Sequence, residues 1–228
     1  MKKLFLSIII SVFTISNLKA LQLDVLTGDT RLACEAMLCL ASPIKPAECS
    51  TAIARYFAIK FKKPWKTINA RKSFLNLCPV DNSDTEMLKY KNEILANLDG
   101  ECNLYELNKR IERTIIGTKM VCGGRHEPCK EVPIYGYRVN PELTKSCYLL
   151  QASTYTDYQG FKYTCSKKFI DEVSWKRGYE LLRISEEEYN LLPDNEKEKH
   201  YEGDKFKKEW RFYKKLPINK KCWIQERS

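Results

Sequence analysis

Ten cysteines offer the most chemistry in this chain: Cys34, Cys39, Cys49, Cys78, Cys102, Cys122, Cys129, Cys147, Cys165 and Cys222. An even number of thiols in an exported chain pairs into disulfides, whereas the same residues in a reducing compartment would hold metal or do redox work. One trio has ligand spacing. Cys122, His126 and Cys129 share a short loop, and zinc accepts both residue types. No fourth ligand stands near them, so a bridge is the expected state and no metal is assigned. Glu35 and Glu48 are the acidic residues nearest the first cysteines. A carboxylate pair could cleave a glycan chain, but Arg31, Arg55 and Arg71 are at hand, and ion pairing is the commoner role. His200 is the second histidine and lies in a charged segment. Triad order varies between folds, yet no Gly-x-Ser-x-Gly elbow accompanies either histidine. No phosphate-cradling glycine loop is present. Lys60, Lys62, Lys63, Lys66, Arg71 and Lys72 interleave with Phe61 and Trp65, and such a basic aromatic run can bind a nucleic-acid strand or edge a solvated helix pair.

The compartment follows from the N-terminus. Lys2 and Lys3 precede the largely apolar run Leu4 to Ile15, and Ser16, Asn17 and Ala20 supply a small, polar end. This is the pattern of a secretory signal peptide, expected to span residues 1–20. The run is short for a membrane span, and no other stretch is apolar enough for one. Cleavage after Ala20 would remove Lys2, Lys3 and Lys19 and lower the formal charge from +10 to +7. A basic surface of that kind stays soluble and suits an acidic partner. With 43% hydrophobic residues over 228 positions, the chain can bury a core and is not disordered.

The elements that must position these residues begin at Gly28. Asp29 or Thr30 caps a helix from Thr30 to Ala41, with Leu32, Ala33, Ala36, Met37 and Leu40 on one stripe. Pro43 and Pro46 break it, and Pro46 suits the start of a second helix carrying Ala52, Ile53, Tyr56 and Phe57. A third helix runs from Trp65 to Leu77 and stops at Pro79. Cys34 and Cys39 are five residues apart, about 140° around a helix, so they reach different neighbours. In an antiparallel hairpin Cys39 meets Cys49, which leaves Cys34 for Cys78. A fourth helix is expected over Asp84–Leu98 and a fifth over Leu104–Ile116.

Beyond Gly117 the helical pattern fades. Pro133–Val139, Cys147–Leu150 and Phe161–Thr164 read as strands, the last two joined through a turn at Asp157–Gly160. A Cys147–Cys165 cross-strand bridge would clasp that hairpin. Ser185 followed by Glu188 reads as a capped helix start, and Cys222 ties the C-terminal segment back to the body. The expected fold is mainly α, a disulfide-stapled helical part over residues 21–116, followed by a small hairpin-containing α+β extension over residues 117–228.

The runs GDTRLACEAMLCL, KPAECSTAIARYFAI and ARKSFLNLCPV, in that order between Leu26 and Val80, resemble the TrbM family of plasmid conjugal-transfer proteins. Gly28, Asp29, Arg31, Cys34, Glu35, Cys39, Glu48, Cys49, Arg55, Tyr56 and Phe57 carry the match. The resemblance implies an exported, periplasmic accessory of mating-pair formation and type IV secretion. It brings no catalytic residue and no cofactor, and no small-molecule substrate is expected. The working expectation is a binding protein that presents Arg55, Tyr56, Lys62, Lys63, Trp65 and Arg71 to another transfer protein. A cell-wall-trimming hydrolase and a secreted nucleic-acid binder are the rival readings.

Overall fold

The computed structural model describes residues 26–80, 83–123, 128–203 and 207–226. The expected signal peptide lies outside the described residues, as does His126. Three helices open the chain: α1 (Gly28–Cys39), α2 (Cys49–Ala58) and α3 (Pro64–Leu75). Each buries the stripe its spacing dictates. Ala33, Ala36 and Met37 come from α1, Ala52, Ile53 and Tyr56 from α2, and Phe74 and Leu75 from α3. Pro64 occupies the first turn of α3, where its missing N–H leaves no intrahelical bond unmade. The Cys39–Cys49 disulfide joins the end of α1 to the start of α2, and Cys34–Cys78 ties α1 to the chain leaving α3.

α4 (Thr85–Lys89) follows, capped by the Asp84 carboxylate, which accepts from the Glu86 and Met87 amides. It continues through a π turn, Tyr90–Ile94, and a 3₁₀ turn, Leu95–Asn97. This segment lies under the first three helices. The Tyr90 hydroxyl donates to Met37 O at 2.7 Å, and the Tyr56 hydroxyl donates to Leu95 O.

The remainder departs from a mainly α chain. Among the described residues 39% are helical and 27% are in strands, so the protein is mixed α/β with three antiparallel sheets. The expected fifth helix is cut short: α5 (Leu104–Lys109) gives way at once to β1 (Ile111–Val121). Ile111, Thr114, Ile115, Ile116, Thr118 and Val121 are β-branched, and such side chains favour the pleated backbone over the helix. β1 pairs with β2 (Lys130–Val139), which pairs with the short β4 (Ile170–Asp171). β1 runs through Gly117 with a bulge between Ile115 and Gly117.

Cys147–Leu150, expected as a strand, is helical within α6 (Lys145–Gln151). The Thr144 hydroxyl caps it by accepting from the Cys147 amide at 3.2 Å, and Ser146, Cys147 and Leu150 are buried at helical spacing. The expected hairpin bridge fails with that strand. Cys147 pairs with Cys102, and Cys165 pairs with Cys222. β3 (Phe161–Tyr163) instead takes β8 (Trp223–Gln225) as its partner. A further helix, α7 (Glu172–Arg177), ends at Gly178 in the left-handed region and leads into the third sheet. That sheet contains β5 (Tyr179–Ile184), β6 (Lys197–Gly203) and β7 (Lys208–Pro217), with β7 central. α8 (Glu186–Leu191) has the expected capping box between Ser185 and Glu188.

One apolar cluster joins the early helices to later segments. It includes Tyr56, Leu75, Leu95 and Leu107 together with Val139, Cys147, Leu150, Tyr158, Cys222 and Trp223. Lys45 reinforces that junction. Its ammonium donates to Cys39 O at 2.8 Å, to Ser42 O and to the Tyr158 hydroxyl at 2.7 Å. Burial pushes its pKa down to about 8, against a smaller upward pull from Glu101.

Candidate interaction surface

The six residues expected to face a partner divide between the interior and the surface. Tyr56 is fully buried. Burial pushes its phenol up to about 12, and the nearby Arg71 charge only partly opposes this. Arg71 is also buried. Its Nε donates to Ile59 O at 3.2 Å and its Nη1 to Leu98 O, with the guanidinium 4.6 Å from the Tyr56 ring and 5.4 Å from Phe57. These two hold α2, α3 and the 3₁₀ turn together; Tyr56 presents no surface, and Arg71 reaches only the floor of a groove beside Phe61. Tyr56 falls on the apolar stripe that spacing already assigns to the second helix, and Arg71 lies on the inward face of α3 with Phe74 and Leu75.

Arg55 is half-exposed and forms a two-point pair with Asp29, at 3.1 and 2.7 Å. That hydrogen bond holds the Asp29 carboxyl below its usual range. The remaining three, Lys62, Lys63 and Trp65, are exposed and sit with Lys60, Phe61 and Lys66 in the corner between α2 and α3. Thr67 fixes the corner, its hydroxyl accepting from the Phe61 amide at 2.8 Å. Phe61 and Trp65 are each about half exposed, and Lys66 lies 5.5 Å over the Trp65 ring. No carboxylate among the described residues forms an ion pair with Lys60, Lys62, Lys63 or Lys66.

Grooves open on both sides of Phe61. One, of about 530 Å³, is walled by Ile59, Phe74 and Leu77 and rimmed by the Asp29–Arg55 pair. The other, of about 400 Å³, lies between Phe57, Pro64, Ile68 and Leu98, with Lys145 at its edge. The corner therefore combines a protruding aromatic pair, adjacent apolar hollows and a cluster of positive charge. Aromatic anchors of this kind dominate protein interfaces.

The candidates for chemistry resolve differently. Glu35 lies 3.7 Å from Arg31 on the same helix, the ion pair expected of it. Glu48 is exposed beside the start of α2. His200 sits 2.7 Å from Glu198 with its ring edge-on to Tyr213. Cys122 and Cys129 form a disulfide, so neither sulfur is available as a thiolate ligand. Among the described residues no group of three or more His, Cys, Asp or Glu side chains could hold a metal ion, and no helix is long and apolar enough to cross a membrane.

One surface went unread in the sequence. In the β5–β7–β6 sheet, Glu198, Glu202 and Glu209 share a face with Arg183, Arg211, Tyr179 and Tyr213 and pair with them. The opposite face carries Lys199, Tyr201, Lys208, Trp210 and Lys214. Alternation along Lys208-Glu-Trp-Arg-Phe-Tyr-Lys-Lys was the available signal.

The described chain is thus a five-disulfide α/β protein with exposed aromatic and basic residues gathered at the α2–α3 corner. The chain belongs to the TrbM family, whose model matches residues 25–189. That match runs well beyond the motif block ending at Val80 and takes in all three sheets in part. Membership makes it a protein associated with conjugal transfer, in a family not known for enzymes. No curated protein and no solved structure matches it.

Proposed function

We propose that this protein is an exported, periplasmic accessory of conjugative DNA transfer that works by binding another protein of the mating-pair formation or type IV secretion apparatus. The observation that carries the reading is the α2–α3 corner. There Phe61 stands between two grooves and Trp65 is exposed nearby, amid four lysines without carboxylate partners among the described residues. Its partner presents an apolar side chain to one groove and acidic residues to the rim. Five disulfides suit an oxidising envelope compartment, and family membership supplies the transfer context.

The test is mating frequency from a donor whose copy of the gene is deleted, complemented by the wild type or by a Trp65→Ala, Lys62→Glu, Lys63→Glu variant. All three positions are exposed, so the variant folds and is exported normally. Wild-type complementation restores transfer and the variant does not. Unchanged transfer on deletion removes the transfer role; full activity of the variant removes the corner. Salt-sensitive DNA binding by the purified protein would instead favour a nucleic-acid role for the same lysines.

A further inference from the structure

β1 is an edge strand. The sheet order is β1-β2-β4, and among the described residues no strand pairs with the outer side of β1 along its eleven residues. Ile111, Ile115, Ile116, Met120 and Val121 are each more than two-fifths exposed. Soluble proteins shield such edges with proline, lysine, a bulge or a covering element, because an open apolar edge pairs with another strand; β1 has one bulge and Lys119, and the pairing argued below accommodates both. β1 contains no proline, and no element among the described residues covers its outer side.

The bulge decides what can pair there. Ile111 lies opposite Val139, Arg113 opposite Tyr137 and Ile115 opposite Tyr135, after which Thr118 lies opposite Pro133 and Met120 opposite Glu131. The extra residue at the bulge therefore puts Ile111 and Arg113 on the same face as Thr118 and Met120. Glu112 and Thr114 share the other face with Gly117 and Lys119. The Glu112–Arg138 ion pair at 2.7 Å and the Arg113 guanidinium 3.4 Å over the Tyr135 ring fit this assignment.

Consider two β1 strands pairing antiparallel about a twofold axis normal to the sheet. Like faces stay together, so residues before the bulge must meet residues of matching face after it. Two long registers satisfy this. One sets Arg113 against Met120 and Thr114 against Lys119, and leaves Ile111 without an opposite number in β1. The other sets Ile111 against Met120, Glu112 against Lys119, Arg113 against Thr118 and Thr114 against Gly117. The second aligns opposite charges twice and apolar pairs twice, since every contact in a twofold interface is repeated. Directly opposed residues of opposite charge, and apolar pairs, stabilise antiparallel strands. Glu112 would then lie between Arg138 of its own sheet and Lys119 of the second copy.

We propose that the occupant of the β1 edge is a second copy of this chain, paired in the Glu112–Lys119 register. The two three-stranded sheets merge into one of order β4-β2-β1-β1-β2-β4. This is independent of the α2–α3 corner, which each copy still presents.

The test is sedimentation equilibrium of the full, disulfide-bonded exported protein, with circular dichroism and thermal melting as checks of folding. The wild type is a dimer in the micromolar range. Lys119→Glu sets two carboxylates against each other at both ends of the paired strands and raises the dissociation constant by about tenfold or more. Glu112→Lys sets two ammonium groups against each other in the same way, and an equimolar mixture of the two variants restores a dimer containing one chain of each. Glu112→Lys also gives up the Arg138 pair; should it fold poorly, Lys119→Glu alone decides, because that exposed side chain makes no ion pair among the described residues. A wild type that stays monomeric at hundred-micromolar concentration overturns the proposal and leaves the edge to a strand of another protein. A dimer indifferent to Lys119→Glu, or folded variants that fail to associate on mixing, overturns it too.

Discussion

At the scale of single residues, buried polar groups tie the helical part to the rest, and their protonation sets a pH profile. Lys45 is an ammonium held among two carbonyls and the Tyr158 hydroxyl, with its pKa pushed down to about 8 by burial. The folded state sheds this proton before the unfolded state does. The penalty for burying the charge is present in full below about pH 8 and disappears as pH rises to about 10.5. Burial also pushes the phenols of Tyr56, Tyr90 and Tyr158 up, Tyr56 to about 12. Their sign is opposite: the stability they contribute holds below about pH 10 and is lost as pH climbs toward and past 12. Denaturant unfolding should therefore show stability rising between about pH 8 and 10, with a slope of at most about 1.4 kcal/mol per pH unit from one proton, then falling. Lys45→Met should flatten the rising limb and leave the fall in place. Absorbance titration of the native protein should show these three tyrosines silent while exposed phenols ionise. Arg71 gives a second prediction. Its two donors span Ile59 O and Leu98 O while its charge lies against the Tyr56 and Phe57 rings. Lysine cannot reproduce the fork, so Arg71→Lys should lower unfolding free energy by about 1–3 kcal/mol.

At the scale of elements, what was legible in the sequence depended on whether local signals and tertiary demands agreed. The first three helices agreed: apolar spacing, prolines and two cysteines at about 140° yielded both the helices and their bridges, Cys34–Cys78 and Cys39–Cys49. Ser185 and Glu188 pointed to the capping box from spacing alone. Leu104–Ile116 did not agree. Its charges repeat at helical spacing, but its β-branched residues pair with β2, and the pairing prevails after Lys109. Cys147–Leu150 fails the other way, because a four-residue apolar run fits strand and helix alike and Thr144 supplies the cap. The site was legible only in part. Exposure of Phe61, Lys62 and Lys63 follows from their place between two helices, and that of Trp65 from its place in the first turn of α3. The inward place of Tyr56 was legible in the stripe it shares with Ala52 and Ile53, whereas that of the charged Arg71 depends on its bonds to Ile59 O and Leu98 O, a long-range fact. Gly160 shows a similar constraint. It has φ +79°, and a Cβ there would lie 1.9 Å from Glu226 O. Gly160→Ala should separate β8 from β3 and lower the melting temperature. Gly100→Ala, with open space around it, should leave the melting temperature near the wild-type value.

At the scale of the whole molecule, the five disulfides are unequal. Cys122–Cys129 closes a loop of sequence separation 7 at the end of the exposed β1–β2 hairpin. Cys102–Cys147 spans 45 residues and is almost fully buried at both ends, joining the turn before α5 to α6. Loop-closure entropy alone assigns about 2 kcal/mol to the first and about 4 kcal/mol to the second. Burial widens the gap, because replacing Cys102 and Cys147 with serine puts two hydroxyls in the cluster that joins the early helices to Val139 and Trp223. Replacing both cysteines of each pair with serine should separate them by guanidinium denaturation. Loss of Cys122–Cys129 should lower the midpoint slightly and keep a single transition, since the change is local to the hairpin end. Loss of Cys102–Cys147 should lower it at least about twice as far and expose the early helices to proteolysis. Equal effects from the two replacements would mean that the hairpin end is coupled to the core as tightly as α6 is, which the exposed length of β1 argues against.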